Sequence, residues 1–464
     1  MTDVKSGRVT VHSKLTAVSN SPVRPGKSYP LSVLDHAMGL HSLHVVFYFR
    51  QIESNDFDLG RLRESLSEVL TYYPVVTGRL KRGEDGNWEV KCNDAGVRVL
   101  NAKVSTTLDE WLRSADGSEE RDLTVWDDMP EDPDIWSPFR IQINDFEGGG
   151  LAIGLSCTHM QADPLCATLI FKSWTDSYRG VAITHPPFFH PPGFRGRTSP
   201  ITNTNSTKYY AAKSKLEPPS SAKMSTATFC FSDTMIKKCL SELHDQCPDA
   251  TPYDLLAALF WSRVEHAKSL THDRTNSLSI CIDFRKLMQA RFPFGFFGNA
   301  LHFSLVSSDS REMDEGGLGY VVGLVNRHFS SLNEEEFWSA IDWFESQKGE
   351  GGKFAAPFRM YGPELTCINM EHMIIPSWPS WSTHVSTCQT LLYAAMFEKD
   401  KKPVHVSYQV GNVEGEGLIL VLPSPEEGLG RSVMVTLPED LTAKLCDDPA
   451  ILRLEPTMLL SGRR

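Results

Sequence analysis

The sequence lacks several features that would assign it to a specialised class of protein. Its 10 cysteines include no CxxC pair, and its formal net charge of −12 leaves no basic surplus. Nucleic-acid surfaces concentrate Lys and Arg, so this charge argues against such a function. No run approaches the roughly 18 apolar residues that a membrane helix needs. The scattered cysteines predict free, mostly buried thiols in a reducing compartment rather than a disulfide framework.

The first residues also lack the marks of a targeting segment. Residues 1–15 mix charges and hydroxyls without an apolar core, so we expect no signal peptide, and any membrane association would come through a partner. What is present is the composition of a soluble globular protein, with 41% apolar and 22% charged residues. A chain of 464 residues exceeds one ordinary hydrophobic core, which predicts two or more domains.

Strand and helix patterns alternate along both halves of the chain. We predict strands at residues 43–49, 88–92, 141–143, 151–157, 226–231, 278–283, 404–410 and 417–422. We predict helices at residues 59–70, 164–178, 232–246 and 252–268. Between the halves, residues 185–223 are crowded with proline, serine and asparagine, which indicates a long connection. The predicted boundaries are therefore 1–184 and 225–464 for the two domains, joined by a linker at 185–224.

One motif carries candidate chemistry: His159-Met160-Gln161-Ala162-Asp163, between the strand at 151–157 and the helix at 164–178. About one His-x-x-x-Asp is expected by chance in a chain of this composition, so the motif alone is weak. Strand ends project side chains into crevices, which makes this position informative. Position alone leaves both a hydrogen-bonded interior histidine and a catalytic histidine open.

Six segments, taken in order, resemble the plant BAHD family of acyl-CoA-dependent acyltransferases. The segments are residues 31–35 (LSVLD), 62–80, 92–97, the motif at 159–163, 254–261 (DLLAALFW) and 283–300 (DFRKLMQARFPFGFFGNA). The resemblance implies an α/β fold of two similar domains with mixed β-sheets flanked by helices, like chloramphenicol acetyltransferase. It also implies a long crossover between the domains and a channel that separates them.

The resemblance also implies roles for particular residues. His159 would be the catalytic base that takes the acceptor's proton, with acyl-CoA as co-substrate, an alcohol or amine as acceptor, and neither a metal nor another cofactor. Asp163 would pair with Arg285 as structural support of the motif. A plain charge at a helix N-terminus is the simpler alternative for Asp163. Phe296, Phe297, Gly298 and Asn299 would form part of the channel wall, or simply a strand-ending turn.

The chain departs from the family pattern at two places. Pro164 stands where the family usually has Gly, and residues 397–401 (FEKDK) stand where active members have Asp-Phe-Gly-Trp-Gly. A charged loop of this kind is usually a solvated surface. Both departures, together with residues 132–163 and 411–423, resemble the Eceriferum/Glossy branch, whose members are understood to assist very-long-chain fatty acid elongation for cuticular wax.

Two functions therefore stay open. The first is acyl transfer from acyl-CoA to an alcohol or amine in plant specialised or surface-lipid metabolism, with His159 as the base. The alternative is a non-catalytic accessory protein of a membrane-bound fatty acid elongase complex. In both cases we expect a monomer in the cytoplasm without a nucleic-acid partner. The accessory function adds contact with the endoplasmic reticulum through that partner.

Overall fold

The computed structural model describes residues 7–21, 26–50, 59–189, 196–198, 204–216, 222–268, 275–288, 293–376, 388–426 and 428–462. Its strands are β1 (Val9–Ala17), β2 (Ser28–Pro30), β3 (Ser42–Phe49), β4 (Arg79–Arg82), β5 (Trp88–Lys91), β6 (Val97–Thr107), β7 (Phe139–Glu147), β8 (Leu151–Thr158), β9 (Met224–Phe231), β10 (Thr275–Asp283), β11 (Leu301–Asp309), β12 (Leu365–Asn369), β13 (Ile374–Pro376), β14 (Cys388–Thr390), β15 (His405–Val410), β16 (Leu418–Pro423), β17 (Arg431–Pro438) and β18 (Thr457–Leu459). Its α-helices are α1 (Val33–Ala37), α2 (Leu59–Tyr72), α3 (Leu108–Ser114), α4 (Gly117–Glu120), α5 (Pro164–Tyr178), α6 (Asn205–Lys213), α7 (Asp233–Leu243), α8 (Pro252–Ala267), α9 (Ser310–Ser331), α10 (Glu334–Ser346), α11 (Glu439–Cys446) and α12 (Pro449–Leu452).

Two large mixed sheets organise the chain. The first has the order β1-β6-β7-β8-β3-β15, with β6 and β7 parallel and the other pairs antiparallel. The second has the order β11-β10-β12-β16-β17-β9-β18, in which β12 lies parallel to both β10 and β16. This architecture confirms the predicted α/β class with two domains of mixed sheets flanked by helices.

The centre of the first sheet is covered on both faces. Every residue of β8 is buried, which is why its sequence LAIGLSCT reads as a nearly continuous apolar run. Within it, a Cβ at Gly154 would lie 2.3 Å from the carbonyl oxygen of Leu123. Glycine therefore lets the turn at Arg121–Leu123 pack directly on the strand. β8 ends at Thr158, so this buried strand holds the next residue, His159, in a fixed position.

The two halves share a strand. β15 comes from the C-terminal part of the chain, yet it pairs with β3 of the first sheet from His405↔Tyr48 to Val410↔Leu43. Sequence reasoning predicted the strand at 404–410 but placed it in the C-terminal domain. The domain boundaries at 1–184 and 225–464 stay a prediction. β15 belongs to the second range in sequence but to the first sheet in the structure.

The crossover between the halves is more than a linker. It contains α6, where Thr204 provides an N-terminal cap and Tyr210 and Lys213 are buried. The phenol oxygen of Tyr210 accepts a hydrogen bond from the backbone N–H of Phe303 at 2.8 Å. The predicted connection thus contains a helix that no sequence pattern indicated, and the buried face of this helix packs on β11 and α10. Residues 190–195, 199–203 and 217–221 of this stretch lie outside the described residues.

Three further properties concern the class of protein. None of the helices in the described ranges combines the length and apolar character needed to cross a membrane. Every cysteine whose side chain is described is a free thiol. No group of three or more His, Cys, Asp or Glu side chains suited to a metal ion occurs in that part of the chain.

Candidate active site

His159 lies where the first sheet faces the second domain. It follows β8 directly, and its backbone N–H donates to the carbonyl oxygen of His41 at 3.0 Å. Its side chain has 0% exposed surface. Burial lowers the pKa of His159 to about 4, although the charge of Asp163 acts in the opposite direction. The imidazole is therefore neutral near pH 7, which is the protonation state that a general base requires.

The Nε2 atom of His159 already has a hydroxyl partner. It lies 2.9 Å from the phenol oxygen of Tyr361, a residue of the C-terminal half that also has 0% exposed surface. Burial raises the pKa of Tyr361 well above its usual range, so the phenol keeps its proton. With the imidazole proton on Nδ1, the phenol donates to the Nε2 lone pair. Nδ1 has no hydrogen-bond partner among the described residues.

Asp163 supports the motif from behind. Its Oδ1 accepts from the backbone N–H of Cys166 at 3.0 Å as the N-cap of α5, and its Oδ2 accepts from the backbone N–H of Ala300 at 3.1 Å. The same Oδ2 lies 2.7 Å from the Arg285 guanidinium, and both side chains are buried. Burial alone would raise the pKa of Asp163, but Arg285 and the backbone donors hold it below its usual value. Asp163 thus fills both roles that the sequence left open.

Arg285 ties two strand ends and a loop together. Its guanidinium also pairs with Asp283 and donates to the carbonyl oxygens of Gly298 at 2.8 Å and Phe296 at 3.2 Å. Burial opposes its charge, yet Asp163 and Asp283 raise the pKa of Arg285 above its usual value. The cation therefore neutralises two buried carboxylates at once, which fixes the loop at 296–298 against the motif.

Asn299 joins three segments at the site. Its backbone N–H and its Nδ2 both donate to Oδ1 of Asp35, at 2.9 and 2.8 Å, and Nδ2 also donates to the carbonyl oxygen of His159 at 2.8 Å. The other oxygen of Asp35 accepts from the N–H and hydroxyl of Ser32, closing a capping box on α1. Asn299 therefore holds the backbone of His159 and the start of α1 against each other.

The predicted wall residues Phe296, Phe297 and Gly298 line a small cavity of about 40 Å³. The buried side chain of Gln161 also lines it, and its amide has no hydrogen-bond partner among the described residues. A cavity of this size has room for a water molecule and is too small for a substrate. A role of these residues in a substrate channel stays a prediction, because the imidazole of His159 itself has no exposed surface.

Sequence reasoning missed three residues of the site. Asp35 carried a detectable signal, since Ser32-x-x-Asp35 is a capping-box spacing. His41 and Tyr361 carried none, because they belong to no motif and meet His159 only through the fold. The ring of His41 lies 4.9 Å from the ring of Tyr361, edge to face, and its Nε2 accepts from the backbone N–H of Met360 at 3.2 Å.

Comparison with known proteins decides the family. The profile of the Transferase family matches residues 7–450. The chain belongs to this family, the BAHD transferases. Over 317 aligned residues it is 29% identical to a hydroxycinnamoyltransferase of Narcissus pseudonarcissus, with 66% of this chain and 73% of that protein covered. Over 464 aligned residues it is 26% identical to Protein ECERIFERUM 2 of Arabidopsis thaliana, covering 94% and 98%.

The BAHD fold is also found among solved structures. The crystal structure of vinorine synthase matches with a TM-score of 0.69 and 19% identity, covering 96% of this chain and 98% of that chain. At this level of identity the match concerns the fold alone. The two-domain arrangement seen here is therefore shared with an experimentally determined structure.

The loop that departs from the BAHD pattern is anchored by its first residue. Phe397 is buried, and its ring packs edge to face on the rings of Phe49, Phe171, Trp174 and Tyr178 at 5.3–5.8 Å. The following residues are charged, and Lys401 pairs with Glu398 at 2.9 Å. The loop thus combines an apolar anchor with a charged rim beside a cavity of about 200 Å³.

Proposed function

We propose that this BAHD protein transfers an acyl group from an acyl-CoA to an acceptor hydroxyl or amine, with His159 as the general base. One observation carries the proposal: Nε2 of a neutral, rigidly held imidazole lies 2.9 Å from an O–H group. This distance falls within the reach that proton abstraction needs. The site is therefore built to receive a hydroxyl at the atom that would take its proton.

The reaction needs no covalent enzyme intermediate. As the acceptor oxygen attacks the thioester carbonyl, its proton moves to Nε2 of His159. The new C–O bond forms, the C–S bond breaks, and the CoA thiolate leaves and takes the proton back from the imidazolium. Asp163 stays ionised throughout because the Arg285 guanidinium lies 2.7 Å from its Oδ2.

Turnover tests the proposal directly. The purified protein is incubated with a panel of acyl-CoA donors and hydroxyl or amine acceptors, and free CoA thiol is measured. General-base assistance contributes about 10²–10⁴-fold in rate, so His159→Asn should lose nearly all turnover. His405→Asn is the matched control, since it alters another fully buried histidine on β15. Equal turnover of His159→Asn and wild type would refute the assignment of the base.

We propose an accessory function as the alternative. His159 has no exposed surface and its Nε2 is occupied from within the chain, a closed state suited to a protein that acts through its surfaces. This supports the accessory function in very-long-chain fatty acid elongation, at the endoplasmic reticulum through a partner. Wild type and His159→Asn would be expressed in a host with a very-long-chain elongase, and acyl-chain lengths and esters profiled. An unchanged chain-length effect without ester would select this function.

A further inference from the structure

The contact between His159 and Tyr361 has a chemical meaning beyond packing. Acyl transfer to a hydroxyl acceptor requires the acceptor's O–H group at Nε2, and the phenol O–H of Tyr361 lies there at 2.9 Å. Two groups cannot occupy the same lone pair of the imidazole. An acceptor that is to react must therefore displace the Tyr361 hydroxyl.

The segment that carries Tyr361 is held by side chains rather than by a backbone ladder. Residues 353–364 have no regular secondary structure, and this stretch lies between α10 and β12. Its contacts include the ion pair of Arg359 with Glu414 at 2.9 Å and the stacked rings of Phe358 and Phe344. Segments without ladder hydrogen bonds open at lower free energy than sheets and helices do. The fold can therefore move Tyr361 while the strand that carries His159 stays in place.

The surroundings of the phenol ring restrict what can replace it. The ring is buried against the edges of His41 and Phe303, at 4.9 and 5.3 Å between centroids. Transfer of a charged ammonium into such a site is costly, whereas an uncharged hydroxyl satisfies Nε2 as the phenol does. An alcohol or phenol on an apolar skeleton fits this site better than an amine.

We propose that Tyr361 is a specificity-determining residue whose hydroxyl stands in for the acceptor, so that uncharged hydroxyl acceptors bind by displacing it. This inference rests on the proposed acyltransferase function. Tyr361 then acts as a competitive ligand built into the chain, which reduces the apparent affinity for the acceptor without changing the bound complex. It would discriminate against amines and against alcohols too weakly bound to displace it.

Kinetics separate this role from a structural one. Tyr361→Phe keeps the ring and removes the competing hydroxyl, so KM for a hydroxyl acceptor should fall by about 2- to 12-fold, the worth of one hydrogen bond, while kcat stays unchanged. A residue that merely orients His159 would instead lower kcat. Tyr408→Phe is the matched control, since it removes a buried hydroxyl that binds Thr168 and the carbonyl oxygen of Pro164 and does not contact His159. A fall in kcat with unchanged KM in Tyr361→Phe would overturn the proposal.

A second measurement does not depend on turnover. Diethyl pyrocarbonate modifies accessible neutral histidines, and peptide mapping reports each site separately. In wild type His159 should react as slowly as buried His405, and in Tyr361→Ala its rate should approach that of exposed His12. Rapid modification of His159 in wild type, or continued protection of His159 in a folded Tyr361→Ala protein, would refute the inference that Tyr361 occupies the Nε2 position of His159. If no donor and acceptor give turnover, the proposed function fails while this assay still decides the contact.

Discussion

Replacing Arg285 by Met removes the cation that Asp163 and Asp283 share. The Asp163 carboxylate lies 2.7 Å from the guanidinium, and all three side chains are at most 1% exposed. Met keeps much of the apolar stem, so the change isolates charge and hydrogen bonding from volume. The variant leaves two carboxylates buried without their cation, and the carbonyl oxygens of Gly298 and Phe296 without their side-chain donor.

The expected loss of stability is larger for the Arg285 variant than for a variant of its partner Asp163. Removing one partner of a buried ion pair costs about 3–5 kcal/mol, and an orphaned buried acceptor adds about 1–3 kcal/mol. We therefore expect Arg285→Met to reduce the free energy of unfolding by at least about 4 kcal/mol. Asp163→Asn keeps a capping oxygen for α5 and leaves Arg285 paired with Asp283, but its Nδ2 cannot accept from the backbone N–H of Ala300, so its cost should be about 1–3 kcal/mol.

Urea unfolding followed by tryptophan fluorescence measures both losses. Arg197→Met is the matched control, because Arg197 also pairs with two carboxylates, Glu335 and Asp342, but has a side chain 30% exposed. Solvent screening limits the pair with Glu335 to about 1 kcal/mol or less, but the Asp342 side chain is only 2% exposed, so Arg197→Met should cost about 1–3 kcal/mol, still less than Arg285→Met. The reasoning is refuted if Arg285→Met destabilises no more than Arg197→Met, or if Asp163→Asn costs more than Arg285→Met.

Two further predictions concern stability, one for the buried histidines and one for the buried ring of Phe397. Burial lowers the pKa of five histidines to about 3 or 4, namely His36, His41, His159, His302 and His405. Their unfolded pKa is about 6.5, so the unfolded chain binds more protons below that value, and these groups should lower the stability by about 6 kcal/mol from pH 7 to pH 5.5. Urea midpoints at both pH values test this, and His405→Asn should reduce the loss by about 1 kcal/mol. In the same assay at pH 7, Phe397→Ala should cost about 3–5 kcal/mol, whereas Lys401→Gln should stay within about 0.5 kcal/mol. A neutral Phe397→Ala would contradict the aromatic anchor.

Local sequence signals predicted the elements that local chemistry determines. The helix predicted at 164–178 has those bounds in the structure, because Asp163 caps it and Pro164 fits its first turn. The strands that hold the motif were also found from their apolar runs. By contrast, α9 was missed, since its glycines weaken the periodic pattern and Gly317 adopts a φ of 60° inside it. α6 was missed because prolines surround it.

The residues of the candidate site also fall into two groups, those that motifs predicted and those that only the fold brings together. His159, Asp163 and Arg285 were found because they belong to motifs, and the structure brings them together. The closed state of His159 was not predictable, because it depends on Tyr361, which is 202 residues away in sequence. Such a contact leaves no pattern in either segment. For the same reason the pairing of β15 with β3 could not be read from two strand patterns alone.

That pairing has a consequence for synthesis of the chain. β3 (SLHVVFYF) lies one position from the edge of its sheet, and β15 covers its outer side. A ribosome adding about 5–20 residues per second needs roughly 20–70 seconds to travel from β3 to β15. For that time the hydrogen-bonding edge of an apolar, β-prone strand has no partner, which is the feature that promotes aggregation between nascent chains. The yield of soluble protein should therefore depend on chaperone supply and on growth temperature, even if the folded protein itself is stable.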